Sequence, residues 1–200
     1  MTLKATLAAA TLCAACASAS SAAVLVNIWE DGTDVLAYAA GSLDLTGAAS
    51  QYLAGGAPFI SPDSFLLGED GVGPSMDAYQ FTGSGNPTSF GTGSTMTSAT
   101  SGTVTEFGMT FGTAAGGNTV VYIEQGYTFG TIFTSNAFFQ NRTLTDMDLI
   151  AGSYVFSLPF DTITVEVGTA PPAGVPLPAT ALLSLLGLGA LGWAGRRRKG

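Results

Sequence analysis

The period of the hydrophobic pattern limits this chain to β-structure over most of its length. At residues 24–29, Val24, Val26 and Ile28 alternate with Leu25, Asn27 and Trp29, and at 162–167 Ile163, Val165 and Val167 alternate with Thr162, Thr164 and Glu166. Successive side chains of a strand point to opposite faces, so alternating β-branched residues mark strands with one buried face. Further runs with strand chemistry lie at 34–38, 42–45, 78–82, 104–111, 119–124, 129–133 and 154–158. Turn residues separate them: Glu30-Asp31-Gly32-Thr33 closes a first hairpin and Leu158-Pro159-Phe160-Asp161 a last one. No segment before residue 175 sustains a 3.6-residue period, although 143–152 has room for one short helical turn. Many short strands joined by glycine-rich turns predict a mainly β fold, an antiparallel β-sandwich or jelly-roll-like domain. Residues 82–102 stand apart, because Ser, Thr and Gly fill 16 of the 21 positions; that composition predicts a mobile loop or a weak edge strand.

The ends of the chain follow other rules. Lys4, an apolar stretch over 5–17 and the small-residue run Ala17-Ser18-Ala19-Ser20-Ser21-Ala22 have the layout of a secretory signal peptide helix over residues 1–22. Cleavage is expected between Ala22 and Ala23, where the first strand pattern starts, with Ala19 as the alternative site, after entry into the Sec export machinery. Both cysteines, Cys13 and Cys16, fall inside this segment, so the exported product would hold neither a free thiol nor a disulfide. Cys16 is also where an acylated lipoprotein cysteine could stand, but Cys13 occupies the position such signals give to Leu, Val or Ile.

At the other end, residues 168–195 carry no charge, and 175–195 are mostly Leu, Ala, Gly and Val. A helix of that length, at ~1.5 Å per residue, matches the ~30 Å hydrocarbon layer, which predicts a single C-terminal transmembrane helix. Leu182, Leu183, Leu185, Leu186, Leu188 and Leu191 cover every side and leave no polar face. Arg196, Arg197, Arg198 and Lys199 follow directly, a stop-transfer tail that the positive-inside tendency holds on the cytoplasmic face. Pro176 and Pro178 lie in Val175-Pro176-Leu177-Pro178-Ala179, and each restricts the residue before it to extended geometry, as the groove of a processing enzyme requires. The chain thus divides into a signal peptide (1–22), a β-rich exterior domain (23–168), a linker (169–174) and a C-terminal sorting unit (175–200).

Proline motif, apolar helix and basic tail, in that order, resemble the PEP-CTERM sorting signal of Gram-negative bacteria in its VPLPA variant. The resemblance covers about the last 26 residues. It implies recognition by an exosortase, a multi-pass membrane cysteine transpeptidase that cuts near the prolines. It further implies an inner-membrane-anchored intermediate and a final place at the cell surface or in a biofilm matrix containing exopolysaccharide. Leu177 stands where the common form has Glu between its prolines. Leu177-Pro178-Ala179-Thr180-Ala181 also resembles the LPXTG cell-wall signal of Gram-positive bacteria, with Ala181 in place of the Gly at which sortases cleave.

Composition narrows the chemistry between the two ends. All 14 acidic residues lie within 23–174, Arg142 is the only base there, and the segment has no His, Cys or Lys. The whole-chain charge of -8 therefore conceals an exterior balance of about -13, set against Lys4 at one end and the four cations at the other. A surface so poor in cations excludes nucleic acid as a partner. Without His, Cys or Lys there is no Ser-His-Asp, Cys-His or Ser-Lys nucleophile, no Schiff base and no usual zinc or copper site, so no cofactor is expected. Carboxylates alone remain for acid–base work, and two of Asp63, Glu69, Asp70 and Asp77 could serve a glycosidase. Glu30, Asp31 and Asp34, or Asp146 and Asp148, offer hard oxygen ligands to calcium without the EF-hand spacing, and no metal site is assigned. Trp29, Tyr38, Tyr52, Tyr79, Tyr122 and Tyr127 are possible stacking platforms for a glycan, though strand aromatics more often pack in a core. Asn141-Arg142-Thr143 fits the N-glycosylation pattern and reads as coincidence in a bacterial chain. The leading expectation is a non-enzymatic, exported surface or matrix protein with no catalytic residues; the alternatives are a carboxylate-pair glycosidase and a glycan-binding module.

Overall fold

The computed structural model describes residues 23–53, 56–68, 75–82, 85–103 and 105–171. In chain order the strands are β1 (Ala23–Asp31), β2 (Asp34–Gly41), β3 (Ala49–Leu53), β4 (Phe59–Ser61), β5 (Ser64–Leu67), β6 (Met76–Phe81), β7 (Thr97–Ser98), β8 (Ser101–Gly102), β9 (Phe107–Phe111), β10 (Thr119–Glu124), β11 (Phe133–Phe139), β12 (Gly152–Ser157) and β13 (Thr162–Val167). A 3-10 turn, Gly112–Ala115, links β9 to β10. The expected first hairpin forms: Asp31 pairs with Asp34 around Gly32-Thr33, and Gly32 at φ 69° supplies the left-handed backbone that a two-residue loop demands. The expected last hairpin forms too, with Leu158 N–H donating to Asp161 O at 2.9 Å.

Two sheets result, one in the order β12-β13-β1-β2-β11-β8 and the other β3-β6-β10-β9-β5-β4-β7. The alternating faces read from the sequence close the space between them. Val24, Val26, Ile28, Ile163, Val165 and Val167 of the first sheet join Phe65, Leu67, Phe107, Met109, Val121 and Ile123 of the second in one buried cluster, which makes the domain a β-sandwich. Aromatic pairs span the layers: Phe107 of β9 meets Phe133 of β11 at 4.9 Å, and Phe111 of β9 meets Phe156 of β12 at 4.6 Å.

The antiparallel expectation needs one correction. β1 and β13 run parallel, from Ala23 opposite Thr162 to Ile28 opposite Val167. Each belongs to its own hairpin, β1 with β2 and β13 with β12, and each hairpin leaves one edge open. Joining those edges builds the sheet, and the chain between them is far longer than the dozen or so residues a parallel connection requires.

Three segments depart from their expected form. Residues 42–45 are not a strand, although Leu43 and Leu45 are buried. Their backbone bonds go elsewhere: Leu43 N–H to the Tyr127 hydroxyl, Leu43 O to Gly130 N–H, and Asp44 N–H to Asp161 Oδ2. The strand expected at 129–133 begins where that window ends, because Gly130 (φ 80°) and the bond from Thr131 N–H to Thr128 O turn the chain first. At 82–102 the chain adds β7 to the edge of one sheet and β8 to the edge of the other, as the edge-strand expectation had it. The same segment also places Phe90 fully in the core, 5.2 Å from Phe111 and 6.4 Å from Phe65. Phe90 is fixed through its backbone, donating to Pro62 O and accepting from Ile150 N–H. The helical turn expected at 143–152 exists as a hydrogen-bonded turn closed by Met147 N–H to Thr143 O.

The chain divides after Ala170 into two units. The expected signal peptide and transmembrane helix lie outside the described residues, among which no helix is long and apolar enough to cross a membrane.

Phe90 gives the first test. Truncating a buried phenylalanine removes its transfer free energy and leaves a cavity, so Phe90→Ala should cost about 3–5 kcal/mol in denaturant unfolding. A loss below about 1 kcal/mol, the surface range, would mean that the glycine- and serine-rich segment is not part of the core.

Candidate functional site

The sorting residues Val175, Pro176, Leu177, Pro178 and Ala179, the tail Arg196, Arg197, Arg198 and Lys199, and Ala22 all lie outside the described residues. Ala23 opens β1. Among the described residues the candidates are therefore the carboxylates and aromatics of the sandwich, and most of the acids have structural work.

Asp63 and Asp77 do not meet. Asp63 sits in the β4–β5 turn beside Phe111, whereas Asp77 pairs with Ile123 and so shares a row with Phe107 at the other end of the sheet. Three strand spacings and four residues of rise separate them by roughly 20 Å, beyond the ~5–9.5 Å of a glycosidase pair. Glu69 and Asp70 lie outside the described residues.

The two calcium candidates come together, but as backbone clips. Glu30 Oε1 accepts Leu144 N–H at 2.7 Å and Asp34 Oδ1 accepts Asn141 N–H at 2.8 Å, which ties the β1–β2 hairpin tip to the turn at 141–149. Within that turn Thr143 N–H donates to Asp146 Oδ2 while Asp146 N–H donates to Thr143 Oγ1, a reciprocal cap. Hydrogen bonds to the Asp146 carboxyl from the Thr143 hydroxyl and, secondarily, from the Thr143 N–H hold it below its usual range, as bonds from Thr46 do for Asp44. Asp148 Oδ2 accepts Thr95 N–H. No three acidic side chains among the described residues converge on a point that could hold a metal ion.

The aromatics divide by face. Tyr79 is buried and meets Phe129 edge-on at 6.0 Å. The Tyr127 hydroxyl accepts Leu43 N–H at 2.9 Å and donates to Thr131 O at 2.6 Å, so its polar end pins two loops. Tyr122 lines a shallow apolar groove with Phe59, Leu66 and Met76. Trp29 and Tyr38 are half-buried on the outer face of the first sheet, opposite Leu36 and Asn27. Nothing is described of the Tyr52 side chain. At one end of the sandwich a cleft of about 500 Å³ is lined by Glu124, Gln125, Tyr127, Thr131, Ile132 and Phe133. Phe129 and Ile132, at 44% and 69% exposure, stand out beside it.

One carboxyl has no clip. Glu106 lies one position beyond Phe107, the last residue of β9 paired with β10, and therefore opposite Glu124. It is 1% exposed, and neither of its oxygens has a hydrogen-bond partner. Its side chain packs over Gly68, where an added Cβ would approach Glu106 Cγ to 3.0 Å. Burial, and secondarily repulsion from Glu124, pushes its pKa up to about 7. A carboxyl with a raised pKa facing a second carboxyl is the arrangement a general acid and its partner would use. Both Glu106 oxygens are enclosed, however, so neither reaches a substrate in this arrangement. Little in the sequence marks the pair: Glu106 falls in the expected strand at 104–111, and only the register reveals what faces it.

With this geometry described, comparison identifies the C-terminal segment. Residues 174–199 match the family model of the PEP-CTERM protein-sorting motif. The chain thus carries the motif of exported proteins that are anchored transiently in a membrane and handed to an exosortase. Searches of curated proteins and of solved structures gave no match.

Glu106 sets a pH dependence. Its folded pKa, about 7, exceeds the reference 4.5, so the folded state binds the extra proton. The stability this confers is complete below the lower value and is lost as pH rises through the upper one, by up to about 3 kcal/mol. Denaturant unfolding should show stability falling between about pH 4 and pH 8, and Glu106→Gln should flatten that limb. An unchanged slope in the variant would assign the effect to another group.

Proposed function

We propose that this chain is a non-enzymatic, exported surface or matrix protein whose β-sandwich is delivered by an exosortase acting at the VPLPA form of the motif. The carrying observation is the sorting-motif match over residues 174–199, which begins one residue before Val175-Pro176-Leu177-Pro178-Ala179. Supporting it are the signal-peptide pattern at 1–22 and the lack of His, Cys and Lys between the end signals. In this reading the protein passes through Sec, pauses in the inner membrane of a Gram-negative cell by its C-terminal helix, and is released or transferred beside exopolysaccharide. The apolar helix and Arg196, Arg197, Arg198 and Lys199 hold the extended proline segment at the membrane surface, where an integral membrane transpeptidase can reach it.

The cleft favours a second reading, a glycan-binding module. Its volume of about 500 Å³ lies in the usual range for small-ligand sites, and it combines a carboxylate, an amide and hydroxyls with apolar surface and no cation. That set suits a neutral polyhydroxylated ligand.

Replacing Pro176 and Pro178 with alanine removes the extended constraint and keeps the helix and tail. The double variant should accumulate in the membrane fraction unprocessed, while the parent chain leaves it. Equal release of the two would mean that the prolines are not the processing signal.

A further inference from the structure

The outer strand of the six-stranded sheet has hydrogen-bonding capacity that the described fold does not use. β12 ends that sheet. Leu158 N–H donates toward β13, so by alternation the backbone groups of residues 152, 154 and 156 face β13, and those of Ser153, Val155 and Ser157 point away. Ser157 is already closed: its N–H donates to Asn86 Oδ1 at 2.9 Å and its carbonyl accepts Asn86 Nδ2 at 3.3 Å. Ser153 and Val155 are left with two N–H and two C=O groups that have no partner among the described residues.

Sheet edges are ordinarily blunted by charge, proline, a bulge or brevity. Of the three other sheet ends, β7 and β8 are two residues long and β3 is five. β12 runs six residues, and residues 150–158 contain neither charge nor proline. Exposed apolar side chains also gather there. Ile150, Val155 and Phe160 are 47%, 49% and 60% exposed, and Leu25, two strands in on the same outer face as Val155, is 38% exposed. These are four of the seven large exposed hydrophobics among the described residues.

We propose that β12 is a homotypic docking edge, pairing antiparallel with β12 of a second copy in a register centred on Tyr154. Ser153 of each copy then faces Val155 of the other. This register engages all four free backbone groups, keeps the Asn86 clamp on Ser157, and joins two six-stranded sheets into one continuous sheet. A second copy fits because a two-fold antiparallel contact is self-complementary and closed. The charge pattern agrees: in a domain with 14 acids and Arg142 as its only base, this strand lets two copies meet without opposing like charges directly. The remaining acids repel at longer range, so salt strengthens the contact by screening.

The test uses the full chain in detergent micelles with Cys13→Ala and Cys16→Ala, so that introduced thiols stand alone. Ser153→Cys with Val155→Cys should give a covalent dimer on mild oxidation, whereas Thr162→Cys with Thr164→Cys, one strand further in, should not. Without the added thiols the parent should sediment as a dimer and Val155→Lys as a monomer with the parent's melting temperature. The proposal is overturned by a monomeric parent, by failure of the β12 pair to cross-link, by equal cross-linking of the β13 pair, or by a Val155→Lys chain that remains dimeric, which would place the contact elsewhere.

Discussion

The parallel ladder between β1 and β13 is the joint on which the rest of the sandwich depends. It fuses two hairpins into one sheet and sets Val24, Val26 and Ile28 beside Ile163, Val165 and Val167 against the phenylalanine-rich second layer. The domain is therefore complete only when residues from both ends of the exterior region are in place. Among the described residues the last ties lie just beyond β13, where Gly168 N–H donates to Ile28 O and Asn27 Nδ2 to Thr169 O. The cut expected at 175–179 falls beyond every strand of the described residues.

A second constraint is the scarcity of cations. Fourteen carboxylates share the exterior region with Arg142, so ion pairing cannot satisfy them. Backbone N–H groups do so instead, at Glu30, Asp34, Asp44, Asp146, Asp148 and Asp161. Each such bond fixes a loop and gives a carboxylate a donor in place of a cation, which reconciles a strongly acidic surface with ordered connections. Glu106 is the exception, being buried without a donor, and it makes the end of the second sheet sensitive to alkali.

Sequence reading recovered the parts of this structure in which one face is apolar and the other is not. β10 and β13 alternate strictly, and 119–124 and 162–167 coincide with the expected segments. β5 has no signal in the sequence beyond the turn residues on both sides, because all four residues of Ser64–Leu67 are buried and show no alternation. β11 lies outside the expected window because its inward positions include Ser135 and Ala137, too small or polar to mark a core face. Phe90 stood alone in a segment whose composition promised no core at all. The sorting unit was legible from the order of its parts and their composition alone. The Glu106–Glu124 pair was not, because cross-strand register is a property of the folded sheet.

The central claim is that both end signals are removable and that the sandwich between them is the product delivered. The most direct measurement is the intact mass of the protein recovered from the cell surface or medium of the native host. The account predicts a chain that starts at Ala23 and ends within residues 175–179. A released chain that still carries Arg196, Arg197, Arg198 and Lys199 would contradict it.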